Sequence, residues 1–381
     1  GYYYNGKKFD SLEKLNSILD QLPSVDHVVV TPYTNSNHDI SSVKNGILWD
    51  NFIDSNPSPL KFEQLPFQHP LYIMYSSGTT GLPKSIVHGA GGTLIQHLKE
   101  LRLHCNIYPE DTIFYFTTCG WMMWNWLVSN LAIGAAIVLY DGSPLQPNSN
   151  AMWDMVDELG ITHFGTSAKY IDACRQEGLS PIKTHSLESM RTIFSTGSPL
   201  VEESFDYVYN QIKKEIQLAS ISGGTDIISC FAGGNPTLPV YRGELQSITL
   251  GMDVAAYNPE GNAIQNEKGE LVCRKAFPSM PIHFWNDPNG EKYHQAYFDV
   301  LPGIWYHGDY IEINDHGGVQ IFGRSDATLN PGGVRIGTAE IYRVVDTFDE
   351  VEDSLVVGQK WKGDERVILF IKLNKKRIFT E

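Results

Sequence analysis

The sequence predicts an α/β protein, with a large domain of mainly parallel sheets flanked by helices, a small β-rich subdomain, and the start of a small α+β C-terminal domain. Three observations predict this. Short apolar strands alternate with helical stretches through the first two thirds of the 381 residues. From about residue 238 the pattern changes to short strands with Gly and Pro turns, and after residue 323 a compact helix and two strands follow. Alternating strands and helices are typical of βαβ units on a parallel sheet.

The elements of the first part follow in order from their apolar patterns. Helices are predicted over residues 11–21, 152–159 and 202–214, and a Trp-rich helix precedes the strand at 135–140. Strands are predicted at 28–30, 112–116, 161–164 and 191–195, and residues 71–75 are expected to form a buried strand. In a parallel sheet, ligands gather at the carboxyl ends of the strands.

The later elements place the domain boundary. Residues 269–273 read as one strand of a β-rich subdomain covering about 238–323, because short strands there are separated by turn residues. A helix at 338–347 and strands at 353–357 and 366–373 follow. We therefore expect a large domain over residues 1–323, and a hinge with the beginning of a small domain over 324–381.

Composition narrows the class of protein. The formal net charge is −15, which argues against nonspecific binding to nucleic acid or to anionic membranes. Five scattered cysteines without a C-x-x-C pair favour reduced thiols and a cytosolic protein. The most apolar stretch, residues 122–140, contains Asn and Gly and reads as a buried helix and strand, so no membrane span is expected.

A loop of small residues after the strand at 71–75 is the strongest local signal. It consists of Ser76, Ser77, Gly78, Thr79, Thr80, Gly81, Leu82, Pro83 and Lys84. Glycines let backbone N–H groups approach an anion, the hydroxyls add donors, and a lysine supplies a mobile positive charge. Because Pro83 precedes Lys84, the loop is not a Walker A motif, and we expect a different kind of phosphate site.

Further clusters follow other predicted strands. Gly197, Ser198 and Pro199 form a turn that could hold flat backbone against a planar ring. Thr225 and Asp226 place a hydroxyl beside a carboxylate, which suits a phosphate oxygen and Mg²⁺, although a helix cap is an equally good reading.

Three more candidates lie toward the end of the chain. Asp309, expected where a strand terminates, could accept hydrogen bonds from two ribose hydroxyls. Arg324 could bind hydroxyls or phosphate, and Asp326 could act as a hinge. Gly332 and Arg335 belong to a glycine loop with a basic end that would let a ligand approach closely.

Other types of site are less favoured. Trp121, beside Gly120, could form the wall of an acyl pocket, whereas Trp124 and Trp126 are expected in the core. The histidines show no H-E-x-x-H spacing, which speaks against a catalytic zinc, and the chain has no G-x-S-x-G elbow of a hydrolase.

Taken in order, these motifs resemble those of the adenylate-forming acyl-CoA synthetases. The resemblance covers essentially the whole chain, and the stretches 120–126, 222–231, 281–287 and 350–355 are similar to the members of the family that act on acetoacetate. It implies a two-step ligase that uses ATP, Mg²⁺ and CoA: the acid attacks the α-phosphorus of ATP, and the CoA thiol then displaces AMP.

The resemblance also implies a role for each matching residue. The loop from Ser76 to Lys84 would hold the β- and γ-phosphates, Thr225 would contact the α-phosphate, and Asp226 would lie near Mg²⁺. The adenosine would be bound by the residues that border adenine (Gly197, Ser198, Pro199, with Gly223 and Gly224 nearby) and ribose (Asp309, Arg324). Asp326 would be the hinge between the half-reactions, and Gly332, with Arg335 in the same loop, would line the pantetheine route.

The acyl pocket can be argued from one glycine. Acetate-specific relatives place a Trp in the strand that holds Gly223 here, and a glycine leaves that volume open, so an acid longer than acetate is expected to fit. A 3-keto acid needs a hydrogen-bond donor for its ketone, and Ser222, Ser167 or Thr166 could supply it.

The chain departs from the family pattern at several points. Asp226 stands where many relatives have Glu, and Ala327 replaces an Asp usual after the hinge. The family's adenylation lysine is expected beyond residue 381, and the front of the large domain also looks incomplete. Three alternatives therefore stay open: a short- or medium-chain acyl-CoA synthetase without a 3-keto preference, a noncatalytic nucleotide-binding protein, and, less favoured, a P-loop kinase.

Overall fold

The computed structural model describes residues 1–373 except 5, 35–38, 77–82, 326–327, 335, 346–347 and 349. The chain forms two compact units: Gly1–Leu65 with Leu139–Met152, and Pro66–Val138 with Trp153–Glu381. The elements of the first unit that precede residue 66 are β1 (Tyr2–Tyr4), β2 (Lys7–Phe9), α1 (Leu12–Leu19), β3 (Val28–Val30), β4 (Gly46–Leu48) and α2 (Trp49–Phe52). Strands β1 and β2 pair antiparallel, and β3 and β4 pair parallel.

The second unit contains the remaining strands and helices. Its strands are β5 (Pro70–Ser76), β6 (Lys84–Gly89), β7 (Thr112–Tyr115), β8 (Ala136–Val138), β9 (His163–Ser167), β10 (Thr192–Thr196), β11 (Gln217–Ser220), β12 (Ser222–Gly224), β13 (Ser229–Gly233), β14 (Ser247–Ile248), β15 (Val254–Tyr257), β16 (Ala263–Ile264), β17 (Gly269–Cys273), β18 (His283–Phe284), β19 (Trp305–Ile313), β20 (Val319–Arg324), β21 (Thr328–Leu329), β22 (Ile336–Gly337), β23 (Val351–Trp361) and β24 (Asp364–Leu373). Its helices are α3 (Ala90–Lys99), α4 (Met122–Val128), α5 (Ala151–Leu159, which starts in the first unit), α6 (Ala168–Gln176), α7 (Pro181–Thr184), α8 (Glu202–Tyr207), α9 (Glu291–Tyr297) and α10 (Thr338–Val345). Two helices continue as π-turns, Glu100–His104 and Val208–Ile212, and Ser129–Ala132 and Pro331–Gly333 are 3₁₀ turns.

A five-stranded parallel sheet forms the centre of the second unit. Its order is β11-β10-β9-β7-β8, and every neighbouring pair runs parallel. The connections carry α4 through α8, as expected when parallel strands are joined by crossover helices. The predicted α/β class is confirmed.

An antiparallel sheet follows in the chain. Its order is β16-β15-β17-β19-β20, within the stretch predicted to be rich in short strands. A core of buried aromatic and aliphatic side chains, including Phe231, Phe277 and Trp305, packs against it. The proposed boundary at residue 324 stays a prediction.

Two local predictions were wrong. The strand at 71–75 forms as β5, but Leu71, Ile73 and Tyr75 are 47%, 40% and 68% exposed, because β5 is the edge strand of the sheet β18-β6-β5. Asp309 does not follow the end of a strand but lies in the middle of β19, opposite Arg324 on β20. An apolar run alone does not distinguish a central strand from an edge strand.

Candidate active site

A cavity of about 400 Å³ opens in the second unit at the carboxyl ends of the parallel strands. Tyr115, Ser167, Thr196 and Ser220, the last residues of β7, β9, β10 and β11, all line it. Most of the residues predicted for a ligand site line the same cavity: Ser76, Trp121, Thr166, Gly197, Ser198, Pro199, Ser222, Gly223, Gly224, Thr225, Asp309, Arg324 and Gly332. The fold therefore brings distant motifs together, although they are up to 256 positions apart between Ser76 and Gly332.

The phosphate loop itself lies largely outside the described residues. Ser77, Gly78, Thr79, Thr80, Gly81 and Leu82 are in that group, as are Asp326 and Arg335, so their predicted roles stay predictions. The two ends of the loop are described: Ser76 on β5 pairs with Lys84 on β6. The Ser76 hydroxyl is buried and has no hydrogen-bond partner among the described atoms, which leaves it able to bind a ligand at the cavity wall.

Lys84 and Asp226 are brought into direct contact. The Lys84 ammonium forms an ion pair with Asp226 Oδ1, and the side chain of Asp226 is only 2% exposed, compared with 22% for Lys84. The Tyr297 hydroxyl donates to the same carboxylate oxygen at 2.6 Å. Tyr297 is held at the end of α9 by stacking on Trp305, with ring centroids 3.7 Å apart. Sequence reasoning missed Tyr297, because no motif marks this position.

A neutral histidine supports the strand that leads to Asp226. His88, on β6, is fully buried, and its Nε2–H donates to the carbonyl oxygen of Thr225 at 3.0 Å. Burial lowers the pKa of His88 to about 4, because it outweighs this hydrogen bond and the charge of Asp226, which both raise the pKa. His88 is therefore an uncharged donor near neutral pH, and it fixes the backbone of a residue predicted to contact phosphate.

Asp309 and Arg324 form a cross-strand pair at the cavity. Arg324 Nη1 donates to Asp309 Oδ1 at 3.0 Å, and their side chains are 12% and 9% exposed. His307 Nε2 lies 3.5 Å from the other oxygen of Asp309. Asp309 lines the cavity, and a carboxylate is a suitable acceptor for the neighbouring hydroxyl groups of a ligand.

Two glycine loops that line the cavity meet each other. Gly197 has a φ of +91° directly after β10, and Gly333 has a φ of +79°. A Cβ on Gly333 would lie 3.1 Å from the Gly197 oxygen, and Asn330 Nδ2 donates to that oxygen at 3.3 Å. The left-handed backbone at both positions, together with the close approach at Gly333, explains the glycines.

Lys169 and Asp364 tie the second glycine loop in place. Lys169 Nζ, at the cavity, contacts Asp364 Oδ2 at 2.7 Å, and the Gly332 N–H donates to Asp364 Oδ1 at 2.8 Å. Burial is the largest single influence on the pKa of Asp364 and raises it. The hydrogen bonds to Asp364 and the positive charge of Lys169 together outweigh burial, so the pKa is lowered. Neither residue was predicted, since their pairing across 195 positions leaves no local signal.

The predicted acyl end of the cavity is lined by hydroxyls and apolar groups. Thr166, Ser167 and Ser222 lie there with Trp121, which is 50% exposed. The Ser167 oxygen caps α6 by accepting from the Tyr170 N–H at 3.2 Å, and its own proton stays free to donate. Of the two tryptophans expected in the core, Trp126 is buried there and Trp124 is only half-buried.

Gly223 is packed more tightly than its predicted role requires. A Cβ there would lie 2.0 Å from the Ser229 oxygen and 2.5 Å from the Cys230 Cα, both on the paired strand β13. In this backbone no side chain fits at Gly223 without moving β13. The hypothesis that Gly223 opens the acyl pocket stays a prediction, but this position is a poor place to test it by enlargement.

The described residues contain neither a preformed metal cluster nor a spanning helix. No group of three or more His, Cys, Asp or Glu side chains among them could hold a metal ion. In the same part of the chain, no helix combines the length and apolar character that crossing a membrane requires. The five cysteines are all free thiols, and four of them are buried.

The chain is similar to a family of known proteins. A family profile described as "AMP-binding enzyme" matches residues 5–280. The acetoacetyl-CoA synthetases of Danio rerio and Gallus gallus are 55% and 56% identical over 99% of this chain. The acetoacetyl-coenzyme A synthetase of Rhizobium meliloti is 55% identical over 100% of the chain.

A solved structure has the same fold. The acetoacetyl-CoA synthetase from Streptomyces lividans superposes on the whole chain with a TM-score of 0.81 and 43% identity. The chain spans 58% of that protein, and 58% or 59% of the three relatives above. The profile match over more than half of the residues shows that the chain belongs to the AMP-binding enzyme family.

Proposed function

We propose that the protein containing this chain is an ATP-dependent acid–thiol ligase that converts acetoacetate to acetoacetyl-CoA. In the first step a carboxylate oxygen of the acid bonds to the α-phosphorus of ATP and pyrophosphate leaves. In the second step the CoA thiol attacks the acyl carbon, loses its proton, and releases AMP. The observation that carries the proposal is the cavity at the carboxyl ends of the parallel strands, which is lined by residues from several of the motifs predicted to bind a nucleotide.

The nucleotide is assigned by the chemistry of the lining. Asp309 and Arg324 suit the ribose hydroxyls, and the flat backbone of Gly197, Ser198 and Pro199 suits the edge of adenine. The triphosphate would lie between the loop ending at Lys84 and Thr225. Preorganised donors directed at developing charge are the largest source of rate enhancement in such transfers.

Asp226 fits a magnesium ion better than a metal held by the protein alone. Mg²⁺ is commonly bound by one or two carboxylates together with substrate phosphates, and Asp226 is a single buried carboxylate beside the cavity-lining Thr225. Bound there, the ion would neutralise phosphate charge. The residues of this chain would orient the nucleotide through Lys84, Thr225 and Arg324.

Acetoacetate is proposed as the acid because the relatives that match nearly the whole chain bear that substrate in their names. Thr166, Ser167 and Ser222 stay the candidates for donating to the ketone. Gly332 would line the path of the CoA arm, with Arg335 nearby and Asp326 as the hinge at the start of a small domain. We further infer a cytosolic ligase of ketone-body and lipid metabolism that binds these small molecules and no nucleic acid.

The test is acid-dependent release of pyrophosphate and AMP by the full-length protein with ATP, Mg²⁺ and CoA. The acids are acetoacetate, acetate, butyrate and 3-hydroxybutyrate, and selective turnover of acetoacetate is expected. Equal turnover of butyrate would favour a short- or medium-chain synthetase, and no turnover of any acid would favour a noncatalytic nucleotide-binding protein.

A matched pair of lysine variants tests the role proposed for Lys84. Lys84→Met is expected to lower kcat/KM by about a hundredfold, the usual effect of losing one donor to a developing charge. Lys183→Met, at an exposed position on α7, is the control and should keep wild-type kinetics. Equal activity of the two variants would contradict the assignment of Lys84.

A further inference from the structure

Glu100 is a buried carboxylate that the proposed reaction does not use. It is 1% exposed and begins the π-turn that extends α3. Its oxygens accept hydrogen bonds from Gln96 Nε2 at 3.2 Å, from Trp126 Nε1 at 3.1 Å and from the Ser229 hydroxyl. Lys99 Nζ lies 3.5 Å away and supplies a positive charge. Burying a carboxylate is costly unless it is paired and hydrogen-bonded, so this arrangement requires a reason.

Two of the donors to Glu100, Ser229 and Trp126, belong to elements that form two walls of the cavity. Ser229 lines the cavity at the start of β13, opposite Gly224 of β12, which lines it too. The Cys230 N–H, next on β13, lies 3.4 Å from the same Glu100 oxygen as Ser229. On the other side, Trp126 is part of α4, whose first residues Met122 and Met123 line the cavity. Glu100 therefore connects the α4 wall and the β12–β13 wall from behind.

Each wall is attached through a separate oxygen. Oε1 accepts from Ser229 and Oε2 accepts from Trp126. The indole cannot turn away, because it is packed edge-on between Tyr115 and Phe194, with ring centroids at 6.0 and 5.5 Å. An amide has one acceptor oxygen where a carboxylate has two, so Gln at this position would lose one of the two attachments.

We propose that Glu100 is a positioning residue that fixes the separation of these two walls and thereby limits the size of the acid that the cavity accepts. This inference rests on the proposed ligase function. Ser229 is not a ketone donor in this arrangement, because its proton is directed at Glu100 while its oxygen accepts from Gln96 Nε2 at 2.8 Å. Its contribution is to hold β13 against the carboxylate.

The experiment compares Glu100→Gln, Ser229→Ala and the double variant in the full-length protein. The measured quantity is the ratio of kcat/KM for acetoacetate to kcat/KM for hexanoate, with butyrate as an intermediate length. Because the fraction of folded enzyme cancels in this ratio, a purely structural defect leaves it unchanged. We expect Glu100→Gln to lower the ratio about tenfold, the effect of poorer discrimination by one or two methylenes. The double variant should add little to Ser229→Ala.

Asp111→Asn is the matched control. Asp111 is a buried carboxylate, 2% exposed, paired with Arg191 and bonded to the Tyr108 N–H at 2.8 Å, and it does not line the cavity. Its variant should lose stability and keep the selectivity ratio. Should Glu100→Gln fail to fold, Glu100→Asp and Ser229→Ala provide the same comparison.

Two outcomes would overturn the inference. One is a selectivity ratio in Glu100→Gln or Glu100→Asp that equals the ratio of the wild-type enzyme, when the wild type is active. The other is an equal shift in Asp111→Asn. A wild type inactive toward every acid would instead overturn the proposed function, and the positioning role with it.

Discussion

The ion pair of Lys84 and Asp226 joins two residues for which we propose a binding role, and it also contributes to stability. The carboxylate is almost completely buried, and the lysine supplies the positive charge that the described residues place against it. We expect Lys84→Met to lower the free energy of unfolding by roughly 2–4 kcal/mol, somewhat below the full value for a buried pair, because the lysine keeps some exposure. Urea unfolding followed by fluorescence measures this.

Two further variants identify the cause of that loss. Lys84→Met with Asp226→Asn removes both charges and should recover much of the stability, because no buried carboxylate is left without its cation. Tyr297→Phe removes the hydroxyl that donates at 2.6 Å and should cost less, about 1–2 kcal/mol. If the double variant were as unstable as the sum of the single ones, the pair would not be the source of the effect.

The hairpin of β12 and β13 gives the prediction at the scale of elements. A Cβ at Gly223 would lie 2.0 Å from a backbone oxygen, whereas one at Gly233 would meet only a sulfur at 3.6 Å and a methyl at 3.7 Å. Gly223→Ala should therefore destabilise the protein by about 1–3 kcal/mol, because the strands must separate.

Gly233→Ala is the internal control for this prediction. It lies on the paired strand and should be neutral or stabilising by up to about 1 kcal/mol, because Ala restricts the unfolded chain. Thermal unfolding of the two variants under one condition makes the comparison. Equal melting temperatures would show that β13 moves aside freely at Gly223.

The elements also show how far the sequence alone leads. The alternation of apolar runs and helical segments was enough to predict the parallel sheet, and the glycine and hydroxyl motifs predicted part of the cavity lining. The exposure of β5 was not predictable, because it depends on which strand has a neighbour. Tyr297, Lys169 and Glu100 were missed for a related reason: each acts through a partner distant in sequence.

Buried histidines determine how the whole molecule responds to acid. Burial lowers the pKa of His88 and His163 to about 4, and also lowers the pKa of His97 and His104, from an ordinary 6.5. Between about pH 6.5 and pH 4 the unfolded chain binds protons that the folded protein does not. Stability is therefore complete above pH 6.5 and falls as the pH drops, by up to about 1.4 kcal/mol per pH unit for each histidine.

Urea midpoints at pH 7.5, 6.5, 5.5 and 4.5 measure this loss. His163→Gln keeps a side chain that can form hydrogen bonds but does not titrate. It should therefore reduce the dependence of stability on pH by about the contribution of one histidine. The same substitution at the exposed His27 is the control. A midpoint that stays constant down to pH 4.5 would contradict the role given to the buried imidazoles.

The ion pair between Lys84 and Asp226 has a consequence for the ionic form of the nucleotide that we propose as the ligand. A ligand that carries both an anion and a cation can replace both halves of the ion pair. Its phosphate then contacts the Lys84 ammonium in place of the carboxylate, and its cation contacts the Asp226 carboxylate in place of the ammonium. A bare polyanion can satisfy only Lys84 and must leave a carboxylate that is 2% exposed without that cation. We therefore expect the site to bind the nucleotide in complex with its cation in preference to the free tetra-anion.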